Sequence, residues 1–66
     1  MKLIFENSNG IERIIAYPNN EEEIMKEIYK FCGERNFKIY YVRTCEHDGR
    51  KTYDVGSHTE FFHSEV

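Results

Sequence analysis

A chain of 66 residues, 39% of them apolar and 32% charged, is one small domain (residues 1–66) of globular composition, not a disordered tail. Its formal charge of −3 argues against a long nucleic acid as partner: Arg35, Lys38, Arg43, Arg50 and Lys51, set against Glu46 and Asp48, make a local basic patch and no broad phosphate-binding face. No apolar run approaches the roughly 20 residues of a membrane span, and Met1 to Phe5 is too short for a signal core, so a cytoplasmic protein without a membrane partner is expected.

Residues 2–6 and 11–17 are apolar-rich runs separated by Asn7-Ser8-Asn9-Gly10, residues that tolerate the positive φ of a hairpin turn. The second run alternates imperfectly, which anticipates a bulge or burial on both faces. Pro18-Asn19-Asn20 ends it, and Asn20 is placed to cap a helix whose first turn, Glu21-Glu22-Glu23, complements the positive helix end. Ile24, Ile28, Phe31 and Cys32 recur at helical spacing, so the helix runs from about 20 to 35, with Gly33 weakening its end and Arg35-Asn36 closing it.

Phe37 to Glu46, dense in Ile39, Tyr40, Tyr41, Val42 and Thr44, reads as the strongest strand. His47-Asp48-Gly49-Arg50 is a hairpin turn, Lys51 to Val55 the returning strand, and Thr59 to His63 a further extended segment after Gly56-Ser57. The expected fold is α+β: β-β-α-β-β with a possible fifth strand, an antiparallel sheet carrying one helix on one face, in two layers. Alternation along 37–45 places apolar and aromatic groups on both faces, so the uncovered face is expected to be aromatic. Ten aromatics (five Tyr, five Phe) on so short a chain strengthen that expectation, and a homodimer through sheet faces or edge strands would cover them.

Five constellations bear on chemistry. Cys45, Glu46, His47, His58 and His63 offer zinc-type ligands at a spacing foreign to fingers and ribbons, and a core cysteine with surface histidines accounts for them more simply. A nucleophile set drawn from Cys32 or Cys45, His47 or His58, and Asp48 or Asp54 lacks an evident pocket, and Cys32 belongs to the apolar helix stripe. Gly56-Ser57-His58 is explained by turn chemistry. Lys38, Tyr40, Arg43, Arg50, Lys51 and Tyr53 form a basic, aromatic strand surface able to hold a small nucleotide. The carboxylates Glu21, Glu22, Glu23, Glu27 and Glu34 on the helix, with Asp54, Glu60 and Glu65 in the tail, read as capping and a solvated face. No enzymatic activity, metal or cofactor is expected. Cys32 and Cys45 have neither CxxC spacing nor the density of a disulfide scaffold, and are taken as reduced thiols.

The stretch Tyr53-Asp54-Val55-Gly56-Ser57-His58-Thr59-Glu60-Phe61-Phe62 resembles small proteins of bacteriophages and prophages of Gram-positive bacteria, in which an Asp-x-Gly-Ser-x-Thr-Glu-Phe-Phe tail follows a tyrosine-rich strand. The likeness covers those residues alone. Together with the small size it implies a phage-encoded anti-defence protein in the host cytoplasm, similar in kind to the inhibitors of the Hachiman defence system. The expected function is inhibition of a host defence or regulatory protein by direct binding, the alternative being a homodimeric sponge for a nucleotide signal. The expected contact residues are Tyr40, Arg43, Arg50, Tyr53, His58, Phe61 and Phe62, with Phe61 and Phe62 pointing to opposite faces of a kinked terminal strand.

Overall fold

The computed structural model covers residues 1–66 and contains β1 (Lys2–Glu6), β2 (Glu12–Ala16), α1 (Glu21–Glu34), β3 (Arg43–His47), β4 (Arg50–Asp54) and β5 (Phe61–Glu65). The fold is α+β in two layers: all strands join one antiparallel sheet in the order β2-β1-β5-β4-β3, with the helix on one face. The last strand in sequence is the central one. It lies between β1 and β4 and so ties the two hairpins into a single sheet. No helix is long and apolar enough to cross a membrane.

Local chemistry sets the punctuation. Asn7 Oδ1 accepts from the backbone amides of Asn9 and Ile11 at 2.9 and 3.0 Å, and Gly10 takes φ +78°, closing the first hairpin. The register of β1 on β2 slips between Leu3, opposite Ala16, and Ile4, opposite Ile14, which leaves Ile15 as the extra residue of the anticipated bulge. Asn20 accepts from the Glu23 amide at 2.9 Å, while Glu23 reaches back to the Asn19 amide at 3.0 Å. This is close to a capping box, displaced by one residue. Asn36, at φ 55°, ends the helix, and the Phe37 amide then donates to the Cys32 carbonyl at 2.8 Å.

Leu3 from β1, Tyr53 from β4, Val55 just beyond it and Phe62 from β5 meet Ile24, Ile28, Phe31 and Cys32 of the helix in the core. Four of the five phenylalanines stack there: Phe31 meets Phe62 edge-on at 5.5 Å between ring centres, and Phe5 lies 4.6 Å from Phe31, 5.3 Å from Phe62 and 6.3 Å from Phe37. Each such pair adds about 0.5–1.5 kcal/mol beyond the area it buries.

Two expectations are corrected. Residues 37–42 are irregular, and the predicted strand survives only as Arg43–His47. The partner that 37–42 would need is the continuation of β4, but that chain bends at Gly56 (φ +96°), leaving a single bridge from the Tyr40 amide to the Val55 carbonyl at 3.0 Å. Phe37, Ile39 and Val42 still pack on the core, so the segment is extended and anchored without belonging to the ladder.

The uncovered sheet face is largely polar instead of aromatic throughout, with Ile4, Ile14 and the half-buried Phe61 as its apolar members. Strand alternation and register place Glu6, Glu12, Arg50, Thr52, His63 and Glu65 there, with Ile4 beneath them. His63, expected at the surface, is only 6% exposed: its Nδ1 pairs with Thr52 Oγ1 at 2.9 Å and its Nε2 with Glu6 Oε1 at 2.8 Å. Arg50 on β4 donates to Glu65 at 2.8 Å and, through both terminal nitrogens, to Glu12 on β2 at 2.9 Å. Three inter-strand steps separate β4 from β2, about 14 Å in a flat sheet, so this contact requires strong coiling toward the open face. The coil and the Arg50 clasp together bury Ile4 to 6% exposure on a face that no helix covers.

Candidate binding cleft

Residues of 35–41 and of the loop 56–59 border an open cleft of about 1030 Å³ beside the C-terminal end of α1. Because Phe37, Ile39 and Val42 turn inward, Lys38 and Tyr40 turn outward, and Tyr41 joins them. Tyr40 is 66% exposed and Tyr41 44%, each with a cation near its ring: Lys38 Nζ lies 4.9 Å from the Tyr40 centroid and the Arg43 guanidinium 5.1 Å from that of Tyr41. Arg35 stacks over Phe31 at 3.8 Å, on the rim.

The opposing wall is built by the stretch that carries the tail motif. Asp54 Oδ1 accepts from the Gly56 amide at 2.9 Å. Ser57 Oγ accepts from the amides of Thr59 and Glu60 at 3.4 and 3.3 Å, and the Ser57 and Thr59 hydroxyls both donate to Glu60 Oε1. Asp, Gly, Ser, Thr and Glu of the motif therefore shape this loop, and the second Phe anchors it in the core. Gly56 lies so close to Tyr40 that a Cβ there would sit 2.7 Å from Tyr40 Cβ. That contact sets the spacing of the two walls.

Of the residues expected to make contacts, Tyr40 and His58 line the cleft, and Arg43 adjoins it through Tyr41. The others lie elsewhere. Arg50 forms the clasp on the open face, and Phe61 is half-buried in β5 on that same face. Tyr53 and Phe62 are core residues with no surface to offer. Tyr53 directs its hydroxyl to the Glu21 carboxylate at 3.0 Å, and burial pushes that phenol above its usual range. Arg35 and Tyr41 also line the cleft and are not among the expected contacts; a regular strand over 37–45 would set Tyr41 on the face opposite Lys38 and Tyr40, and Arg35 reads in the sequence as a helix end and part of a local basic patch. The signal available was the run of cations and tyrosines over 35–43 itself.

The supposed zinc ligands do not converge: Cys45 and His47 lie exposed on edge strand β3, His58 is on the cleft and His63 on the open face. Glu6, Glu12 and His63 do bring potential ligand atoms within 4.8 Å of one another, but both Glu12 oxygens already accept from Arg50. Hydrogen bonds from Arg50 hold the Glu12 carboxyl below its usual range. Cys32, buried against the helix face, has its thiol pushed up by desolvation, opposite to a reactive cysteine.

Comparison with known proteins finds no matching family model, curated protein or solved structure.

Proposed function

We propose that this chain is a non-enzymatic, phage-encoded protein that inhibits a bacterial antiviral-defence or regulatory protein by direct binding in the host cytoplasm, with the Tyr40/Tyr41/His58 cleft as its contact surface. The observation that carries the reading is the exposure of two adjacent tyrosines on a segment anchored from beneath by Phe37, Ile39 and Val42. Rigid, amphipathic tyrosines held without conformational cost are the kind of side chain that dominates protein contacts. The tail resemblance supports the phage setting, and its residues are those that form one wall of the cleft.

The nucleotide-sponge alternative has weaker support. Phosphate sites commonly recruit free backbone amides or a helix N-terminus. This cleft adjoins the helix C-terminus, whose dipole is negative. The amides of Arg35, Asn36, Phe37, Tyr40, Gly56 and Thr59 are already engaged within the chain. Self-association has less apolar surface to draw on than an aromatic face would give, since Ile14 and Phe61 stand among charged residues on the open sheet face. The edge strands carry Glu12, Arg13, Arg43, Glu46 and His47, charges that discourage strand pairing.

The test is capture from bacterial lysate by tagged wild-type chain and by the Tyr40→Ser/Tyr41→Ser variant, with identification of what is bound and an activity assay of that protein. The proposal expects a host protein that wild type captures and inhibits and the variant does not. Equal capture by both chains, or capture without loss of the host protein's activity, would overturn it.

A further inference from the structure

We infer that the segment of the partner seated in this cleft is acidic, with carboxylates flanking an aromatic or aliphatic side chain. The inference rests on the cleft being the contact surface and adds the chemistry of what fills it. Although the chain is net negative, none of the cleft's ten lining residues is Asp or Glu. Arg35 and Lys38 line it, and Arg43 stands next to it over Tyr41. None of the three makes a salt bridge, which is also true of Lys2, Arg13 and Lys30 elsewhere on the surface, while Lys26, Arg50 and Lys51 are each paired with a carboxylate. Of the acids flanking the lining in sequence, Glu60 is held by the Ser57 and Thr59 hydroxyls and Asp54 accepts from the Gly56 amide, while Glu34 precedes Arg35 at the helix end.

Each of these cations rests on an aromatic ring, which fixes it and leaves its N–H groups open to an incoming acceptor. The apolar part of the lining is supplied by Phe37, Tyr40 and Tyr41. Dispersed cations beside these apolar groups suit carboxylates spread along a peptide. A single compact dianion would instead find six of the ten lining amides already engaged within the chain. Such complementarity acts mainly through specificity and association rate, and it weakens with salt.

The probe is a synthetic peptide alternating Asp and Glu with Phe and Tyr, titrated into the ¹⁵N-labelled chain and followed by the amide signals of Tyr41, Ser57 and His58. A lysine-for-acid peptide and ATP serve as comparison ligands. The acidic peptide is expected to move those signals saturably, and the lysine peptide to leave them in place. Binding should weaken about three- to tenfold between 0.05 and 0.3 M NaCl as the Debye length shrinks from about 14 Å to about 6 Å. Lys38→Glu, an exposed position, should weaken it about tenfold while preserving the spectrum elsewhere, and Arg35→Gln provides a second charge removal should the first variant misfold.

The inference fails if the acidic peptide leaves these signals unmoved, if the lysine peptide moves them equally, or if ATP moves them more strongly. Lysate capture that depends on Tyr40 and Tyr41, alongside an inert acidic peptide, would keep the contact surface and discard its charge preference. Capture indifferent to Tyr40 and Tyr41 would instead remove the surface itself.

Discussion

Gly56→Ala tests how the cleft is held open, and its cost can be worked from two independent quantities. The first is conformational: at φ +96° an L-residue carries a strain of about 1–2 kcal/mol. The second is steric: the new methyl would sit 2.7 Å from Tyr40 Cβ, which is fixed to the backbone and cannot swing aside like a side-chain tip. Forcing a methyl into occupied space costs about 1–3 kcal/mol. The expected loss is therefore about 2–5 kcal/mol, against a total of about 3–10 kcal/mol for a chain of this size.

Gly10→Ala separates the two parts, since Gly10 has φ +78° and nothing within 4 Å of its would-be Cβ. It should cost the conformational part alone, about 1–2 kcal/mol. Urea denaturation of both variants, read as the shift in midpoint at constant slope, gives the comparison. In thermal melts each kcal/mol corresponds to about 4–8 °C. Adding Tyr40→Gly removes the obstructing Cβ, so Gly56→Ala should cost less in that background than in wild type. The reasoning is refuted if Gly56→Ala destabilises no more than Gly10→Ala, or if Tyr40→Gly leaves its cost unchanged.

Arg50→Met should cost about 1–2 kcal/mol, more than an ordinary surface pair, because it leaves Glu12 and Glu65 without a donor; chemical denaturation checks it, and a loss below about 0.3 kcal/mol would mean the clasp is decorative. Glu12 and Glu21 are both held below their usual range, Glu12 by hydrogen bonds from Arg50 and Glu21 by those from Lys51 and then Tyr53. Their contribution is complete above the ordinary carboxylate value of 4.5 and is lost as pH falls through the depressed folded values. Melting temperature should thus fall on acidification from pH 6 to pH 3, less steeply for Glu12→Gln than for wild type. A thiol reagent should label Cys45 at once under native conditions and Cys32 only on unfolding, and equal rates would contradict the packing of Cys32 against the sheet.

Elements whose signals are local were legible in the sequence. Asn7 to Gly10, the Asn20 cap, the Ile24/Ile28/Phe31/Cys32 stripe and the Asp48-Gly49 turn each depend on groups within a few residues, and each occurs where the residue types require. The run 37–42 misled because β-propensity measures fitness for a half-buried extended surface, and that segment is extended and half-buried without a strand beside it. Whether a strand forms there depends on its partner, and the partner is diverted at Gly56, a fact about residues fifteen or more positions away.

The same dependence explains the site. Once 37–42 leaves the ladder, its tyrosines no longer decorate a sheet face; they stand at the sheet's end, across from a loop whose shape Ser57 and Glu60 maintain. His63 went unrecognised for a related reason. A histidine at the end of the expected segment Thr59 to His63 reads as exposed until β5 is known to be the central strand, where it pairs across from Ile4 and Thr52 and bonds the side chains of Thr52 and Glu6. Central placement follows from Phe62, which must reach Phe5 on β1 and Phe31 on the helix while its strand also pairs with β4. Phe62→Ala should accordingly do more than leave a cavity: at about 3–5 kcal/mol it approaches the whole stability of the domain. The Tyr40/Gly56 contact depends on the β4–β5 connection that Phe62 anchors, so cleft and core should be lost in one transition. Tyrosine fluorescence and far-UV circular dichroism should then melt together in wild type, and separation of the two curves would show that the cleft is an independent unit.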